Sequence, residues 1–528
     1  MKHKSLTLPS WLLPLLLMLL GSILRLAYLG IIPGGIHQDE SFVAWNAFAL
    51  LHEGMDSAGH VWPVYMADWG DGHSALYVWL LIPLLALNDG HISPVLSRLP
   101  QAIVSIFTLW AVYCLLKRMF DKKLASWGLF LLAVCPWHIM MSRWGLDANL
   151  APGFLIFGLY FFVRGMEDHR FLPVSGIFYG LSLYCYAVIW PIVPLLLLLQ
   201  IGYALAFRKI RIDRYSISAA VILGVMALPL LLFLSVNSGI LPEITLPFMT
   251  IPKMGGYRGS EVAFSLSKMY HNLRTALSLL YHQNTGTPYD ILLPWGLFYD
   301  IGRVFIVIGA VSLCICVGKR LIQRTFAWET FLLIQLIGGG FNCLIVTAVL
   351  HQIDALYIPL VLCEAWGVYT LLQALQKLRP YVATVAASLL ALCYLICLVL
   401  FQRDYYTEYR TLTDAYFAKG VGQCVEYALQ QCKETGISTI SVEKGAQWPR
   451  LLFYTETLPS QYLATVTYDV APAPAAFTTS DNIRINTRIN YDTIGSDSIY
   501  IIYYTDEAVF STDFTLTPFY DWYVAVPK

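Results

Sequence analysis

The chain has 528 residues, of which 57% are hydrophobic and only 13% are charged. Soluble domains carry about 25% charged residues, so the composition excludes an ordinary soluble enzyme and predicts a membrane protein with many spans. Thirty-four basic residues balance 34 acidic ones, which leaves no basic excess for a nucleic-acid partner.

Eleven apolar segments have the length and composition of spanning helices, which need about 20 mostly apolar residues. The first is predicted to be an anchor rather than a signal peptide, because no small-residue cleavage site follows it. The predicted spans are 11–30, 96–116, 124–141, 149–164, 171–187, 190–207, 216–235, 301–318, 327–349, 355–376 and 381–401.

Basic residues cluster at every second gap between these segments, from Lys2 and Lys4 to Lys377 and Arg379. Lys and Arg are enriched in cytoplasmic loops, so the N-terminus is predicted to be cytoplasmic and the C-terminus extracytoplasmic. The apolar stretch 74–87 is short and would invert this order if it crossed the membrane. It is therefore predicted to lie on the outer face, paired with a second short helix at 41–53.

The first outer loop, 31–95, carries an acidic pair, Asp39-Glu40, close to the membrane edge. Acidic residues there are costly unless they face water, a partner or a substrate, so the pair is the candidate reaction centre. The pair could instead start the helix at 41–53, since acidic residues favour helix N-termini. Asp68 and Asp71, which flank a glycine, are either site residues or turn formers.

Two further regions are predicted on the outer face. In the loop 236–300, apolar residues from Leu266 to Leu280 recur at three- and four-residue steps, which predicts an amphipathic surface helix. Residues 402–528, the tail, predict a small α/β domain with a helix at 416–435 and strands near 437–442, 462–468, 498–504 and 522–526. Most cysteines lie in apolar spans, and Cys424 and Cys432 are about 12 Å apart along one helix, too far to bridge.

Several local motifs then occur in a characteristic order over residues 1–400. Together they resemble the GT-C membrane glycosyltransferases, and most closely the protein O-mannosyltransferases and the lipid A aminoarabinose transferase. The motifs are His37-Gln38-Asp39-Glu40-Ser41, Tyr77 with Trp79, Ser97-Arg98-Leu99-Pro100, Pro136-Trp137-His138 with Ser142-Arg143-Trp144, Leu146-Asp147-Ala148-Asn149, and His351 with the run from Asp354 to Leu360.

The resemblance implies transfer of a sugar from a polyprenyl-phosphate donor to an acceptor hydroxyl of a lipid, protein or glycan. Asp39 matches the family's general base, and Glu40 would support it. The donor phosphate or substrate would be held by residues drawn from Arg98, Arg143, His73, Asp71, Asp147, Arg258 and Tyr357. The aminoarabinose transferase has a lysine near the position of Gly72-His73, and this chain lacks it.

Other interpretations stay open from the sequence. Arg98 and Arg143 could be interface anchors, Asp147 a helix cap, and His37, His73 and His351 structural. No cofactor is predicted firmly, although a divalent ion bridging acidic residues and phosphate is an option. A transporter or flippase of lipid-linked saccharides is the alternative function, although no internal repeat is seen. A non-catalytic membrane scaffold is the third.

Overall fold

The computed structural model describes residues 9–67, 72–470 and 473–528. Helices dominate residues up to 412. Their bounds are Leu12–Leu26, Gln38–Glu53, Leu76–Ala86, Pro94–Met119, Lys122–Val134, Pro136–Met141, Ala151–Glu167, Leu172–Ser182, Ile192–Ala206, Arg214–Asn237, Leu266–His282, Asp300–Ile322, Glu329–Ile345, Tyr357–Leu378, Pro380–Asp404 and Arg410–Leu412. Two short hairpins pair Tyr65–Met66 with His73–Ser74 and Ile244–Leu246 with Met249–Ile251.

Among the described residues, seven helical stretches are long and apolar enough to cross a membrane, and each coincides with a predicted span. The first and ninth predicted spans form shorter apolar helices, Leu12–Leu26 and Glu329–Ile345. The predicted span 171–187 is helical only over Leu172–Ser182. The chain is therefore a mainly α-helical, multi-pass membrane protein.

The predicted helix 124–141 is wrong as a continuous element, because it breaks at Pro136. Proline has no N–H, so the carbonyl of Leu132 loses its helical partner. Arg25, fully buried in the first helix, donates to the carbonyls of Leu132 at 3.1 Å and Ala133 at 3.2 Å. The Arg25 guanidinium, although it lies in an apolar helix, thus provides hydrogen-bond donors for the carbonyls at the end of the broken helix.

The two short helices predicted in the first outer loop are confirmed. Leu76–Ala86 has 11 residues. Its length of about 16 Å is half of the hydrocarbon thickness, so it cannot span the membrane. It packs beside Gln38–Glu53, here called the loop helix. The predicted amphipathic helix is present as Leu266–His282, with Leu266, Tyr270 and Leu277 exposed.

The tail contains the predicted small α/β region. Its helix Val421–Thr435 packs on a mixed seven-stranded sheet whose central strand, Thr439–Val442, has two parallel neighbours. The remaining strands are Thr467–Val470, Ala473–Thr478, Arg484–Asn486, Ile499–Tyr503, Phe514–Phe519 and Trp522–Pro527, with further short helices at Trp448–Thr455, Pro459–Thr465 and Glu507–Phe510. The strand predicted at 462–468 is wrong in its first half, because Pro459 begins a helix there. Cys424 and Cys432 are buried free thiols.

The tail holds the segment that leads into the loop helix. The Ile36 N–H donates to the Phe417 carbonyl at 2.8 Å, and Arg450 donates to the Ile36 carbonyl at 2.7 Å. Farther along, the Trp45 indole donates to the Thr457 carbonyl at 3.0 Å. The start of the loop helix is thus fixed by residues that come about 400 positions later in the chain.

A glycine makes this close approach feasible, and its replacement should destabilise the protein. Gly35 has a φ of +74°, and a Cβ there would press into the Phe417 carbonyl oxygen. We expect Gly35→Ala to lower the free energy of unfolding by about 2–4 kcal/mol from strain and overpacking. The matched control is Gly239→Ala, which has a φ of +76° but open space around it. Thermal unfolding of the two variants should differ, and equal melting temperatures would contradict the steric role of Gly35.

Candidate active site

The acidic pair lies in the first turn of the loop helix, and the two carboxylates have different surroundings. His37 is the N-cap, and its Nδ1 accepts the Asp39 N–H at 3.3 Å. The Glu40 carboxylate accepts the His37 N–H at 2.9 Å, which completes a capping box. The helix-start interpretation of the pair is therefore correct for Glu40.

Glu40 is buried, and its carboxylate is saturated with hydrogen bonds. Arg98 donates to both of its oxygens, at 3.0 and 3.2 Å, and the Gly145 N–H donates at 2.8 Å. None of its oxygens faces an open space, so Glu40 offers no direct contact to an acceptor, and its supporting role beside Asp39 stays a prediction. Glu40 instead ties the loop helix to the second predicted span.

The two arginines predicted to contact a donor phosphate are also fully buried. Besides Glu40, Arg98 donates to the carbonyls of Leu29, Pro33 and Gly35 at 2.8–3.0 Å. Arg143 donates to the Tyr405 hydroxyl and to the carbonyls of Leu24, Arg25, Ala27 and Ile32. A guanidinium has five N–H groups, so Arg98 has no donor left for phosphate, and Arg143 keeps one Nη2 N–H, which is buried. Their complete burial excludes the interface-anchor interpretation, while phosphate binding by these arginines stays a prediction that these contacts do not support.

Asp39, in contrast, is partly open, with 23% of its side chain exposed. The nearest basic side chain is His37, whose Nδ1 lies 3.6 Å from the carboxylate. Burial alone would raise the pKa of Asp39, but electrostatic interaction with His37, His73, His351 and Arg258 outweighs that effect and lowers the pKa. The carboxylate is therefore ionised at neutral pH, as a general base requires.

Aromatic rings surround the Asp39 side of the loop helix. The His37 ring contacts Trp144, Tyr289 and Phe417, with centroids 5.2–5.7 Å apart. Trp144 belongs to a motif that the sequence singled out, but Tyr289 and Phe417 were missed. They lie in the long outer loop and in the tail, and no local pattern links either of them to Asp39.

His351 and Arg258 bring two more segments to this place. Burial lowers the pKa of His351 to about 4, so its ring is neutral at pH 7. Its Nδ1 and the hydroxyl of Tyr186, whose ring is 6.1 Å away, are buried and have no hydrogen-bond partner among the described residues. Arg258 is about a third exposed and donates to Glu261 at 2.9 Å. Buried polar atoms without partners are rare in proteins and indicate a place where a ligand or water binds.

His73 and Asp147 form a buried pair, with Nδ1 and the carboxylate 3.5 Å apart. Asp147 also accepts the N–H groups of Ser74 at 2.9 Å and Ala148 at 2.8 Å. It therefore connects the first outer loop to the bundle, and through the Ala148 N–H it also bonds at the start of the short helix Asp147–Leu150. Asp71, like Asp68, lies outside the described residues.

Tyr357 is also fully buried. Its hydroxyl donates to the Leu350 carbonyl at 3.2 Å, and its ring packs against Trp137. The side chain therefore belongs to the helix packing, and substrate binding by Tyr357 stays a prediction that these contacts do not support.

Residues 73–235 match the family model described as dolichyl-phosphate-mannose-protein mannosyltransferase. The comparison with curated proteins finds no match. The matched range includes His73 and Asp147 but begins after Asp39.

Solved structures resemble most of the chain at low identity. ArnT from Cupriavidus metallidurans bound to undecaprenyl phosphate is 11% identical with a TM-score of 0.56, over 98% of this chain and 97% of that one. Its apo state gives a TM-score of 0.53 over the same shares. The Archaeoglobus fulgidus oligosaccharyltransferase with zinc and sulfate is 12% identical with a TM-score of 0.50, over 83% of this chain, which spans only 61% of that one. The chain is therefore a multi-pass membrane protein with the fold of the GT-C glycosyltransferases.

Proposed function

We propose that the protein is a membrane glycosyltransferase that moves a sugar from a polyprenyl-phosphate donor to an acceptor hydroxyl, with Asp39 as general base. The observation that carries this proposal is the division of labour within the acidic pair. Glu40 is buried and saturated by Arg98 and backbone N–H groups, whereas Asp39 is ionised and partly open. A transfer to a hydroxyl needs one such base.

The reaction proposed is a single displacement. The acceptor hydroxyl gives its proton to Asp39 while its oxygen bonds to the anomeric carbon, and the bond from that carbon to the phosphate oxygen breaks. The leaving group is a phosphate ester, so a second carboxylate acting as acid, as in glycoside hydrolases, is not required. This agrees with the presence of one open carboxylate in the pair.

Positive charge near the leaving phosphate would come from Arg258 and His73. Both interact electrostatically with Asp39, and Arg258 is partly exposed. The ArnT structure bound to undecaprenyl phosphate supports a donor on a polyprenyl phosphate. A divalent ion remains a prediction, since no three His, Cys, Asp or Glu side chains converge within the described ranges.

The basic clusters support an orientation in which the first outer loop and the tail are extracytoplasmic. Asp39 would then meet a donor and an acceptor at the outer surface of the cell membrane. The acceptor is a lipid, protein or glycan hydroxyl, and no nucleic acid takes part.

The experiment is a donor-cleavage assay with the full-length protein in proteoliposomes. A panel of polyprenyl-phosphate sugars, labelled in the sugar, is offered with and without candidate acceptors. We expect polyprenyl phosphate to be released and the label to appear on the acceptor. When the acceptor is absent, we expect slow transfer to water, which releases the label as free sugar. Movement of intact donor across the bilayer without bond cleavage would contradict the proposal and favour a transporter.

A further inference from the structure

A groove lies between the membrane part and the tail, separate from the Asp39 site. Its larger cavity has a volume of about 870 Å³ and is lined by residues 30–35 of the first outer loop and by the tail helix Val421–Thr435. A second cavity of about 430 Å³ adjoins it, because Ile31 and Arg410 line both. The combined space is large enough for a ligand with both a chain and a headgroup.

One end of this groove is apolar and aromatic. Tyr28, Ile31, Ile32 and Tyr406 line it together with Arg410. Tyr28 is 64% exposed and Ile31 51%, and the rings of Tyr28 and Tyr406 meet edge to face at 5.8 Å. Exposed tyrosines near the ends of apolar helices are typical of the membrane interface, which favours a groove end that opens toward the lipid.

Arg410 sits where lipid headgroups lie. The last spanning stretch, Pro380–Leu412, has 33 residues. Thirty residues separate Pro380 from Arg410, which corresponds to a rise of about 45 Å. A bilayer with its headgroups is about 40–45 Å thick, so a helix that enters at Pro380 places Arg410 at the headgroup level of the opposite face.

Among the groove's cations, Arg410 is the one without an internal counterion in the described structure. Lys419 pairs with Asp414, and Lys433 pairs with Asp481, each at 2.8 Å. Arg410 is exposed, and it forms no ion pair or side-chain hydrogen bond with any residue described here. A guanidinium is well suited to bind phosphate through two parallel hydrogen bonds.

Beyond Arg410 the groove becomes polar. Gln423, Glu426 and Gln430 line it from successive turns of the tail helix, and Tyr454 faces them. Glu426 supplies an acceptor for hydroxyl or ammonium groups, while it would repel a second phosphate. The order along the groove is thus apolar surface, one cation, and then neutral and acidic hydrogen-bonding groups.

We propose that this groove binds a membrane phospholipid, with its phosphate at Arg410. The acyl chains lie along Tyr28 and Tyr406, and a hydroxyl-bearing headgroup reaches Gln423 and Glu426. The His37 ring contacts Phe417 at 5.5 Å, so the wall formed by residues 34–37 and Phe417 separates this groove from Asp39. The inference is independent of the proposed transfer reaction, since binding is measured without turnover.

The test is native mass spectrometry of the full-length protein in detergent, titrated with phosphatidylglycerol or with diacylglycerol of the same chains. We expect one tight phosphatidylglycerol adduct on the wild type, bound about tenfold more weakly by Arg410→Gln and partly restored by Arg410→Lys. Arg403→Gln is the matched control, because Arg403 is exposed on the same helix but outside both cavities and paired with Asp404. It should bind as the wild type does.

Each comparison in this experiment distinguishes a different possible cause of the lipid adduct. Equal affinity for the two lipids, or an equal loss in Arg403→Gln and Arg410→Gln, would overturn the proposal. So would Arg410-dependent binding of inorganic phosphate with no phosphatidylglycerol adduct, since the site would then serve a soluble anion. Arg410 makes no side-chain bond with the described residues, so Arg410→Gln and Arg410→Lys should melt at the wild-type temperature.

Discussion

Replacing Asp39 by Asn is expected to abolish sugar transfer while the protein folds and inserts normally. Asn keeps the size of the side chain and its backbone N–H bond to His37, but it cannot accept a proton. General-base catalysis is worth about 10²–10⁴-fold in rate, so the donor-cleavage rate should fall by at least about a hundredfold. The rate is measured in the proteoliposome assay, and the melting temperature should stay within error of the wild type.

Asp89→Asn is the matched control for this variant. Asp89 lies in the same outer loop, is exposed, and has the left-handed backbone conformation that Asn also tolerates. It should transfer sugar at the wild-type rate. An Asp39→Asn protein that keeps most of its activity would remove Asp39 as the base.

The pH profile gives a second check on Asp39. The base acts when it is deprotonated, so activity is lost as pH falls through its pKa in the folded protein. That pKa is lowered below the ordinary 3.8 by the surrounding histidines and Arg258 despite burial. Asp39 should therefore cause no loss of rate between pH 8 and pH 5. If the wild-type rate fell with a midpoint near pH 6, and no substitution of another residue removed that fall, the assignment of Asp39 as the base would be contradicted.

Replacing Glu40 by Ala is expected to destabilise the fold, which distinguishes it from its neighbour. The change leaves Arg98 charged and buried, and it removes the acceptor for the His37 and Gly145 N–H groups. Breaking a buried ion pair from one side costs about 3–5 kcal/mol. Thermal unfolding in detergent should show a large drop in melting temperature, together with low yield from membranes.

A double-variant cycle tests whether the loss comes from the pair. Arg98→Met alone should be destabilising because it leaves Glu40 buried without its partner. Glu40→Ala combined with Arg98→Met should then cost less than the sum of the two single changes, because no lone charge remains. Additive losses would contradict the coupling. A Glu40→Ala protein that melts like the wild type yet lacks activity would return Glu40 to the catalytic role.

The sequence by itself determined the features that local physics controls. The thickness of the bilayer sets a minimum length for an apolar spanning helix, so the spans could be counted from the sequence. By the same criterion, the stretch 74–87 could be recognised as too short to span. Helical periodicity predicted the surface helix that forms as Leu266–His282. The concentration of charged residues in the first outer loop pointed to Asp39, because charge near lipid is energetically costly and is usually retained for a function.

Only the tertiary structure decided which charged side chains are available to bind a ligand. Arg98, Arg143 and Glu40 look from the sequence like ligands for substrate, yet all three are buried. The two arginines donate mainly to backbone carbonyls, and Arg98 and Glu40 also bond to each other. Those partners lie 58 to 119 positions away, and one-dimensional patterns carry no distance between such segments. The same reason hides Phe417 and Arg450, which reach the start of the loop helix from the tail. The chemical type of each side chain is known from the sequence. Whether that side chain forms its hydrogen bonds within the fold or stays accessible to a ligand depends on contacts that only folding creates.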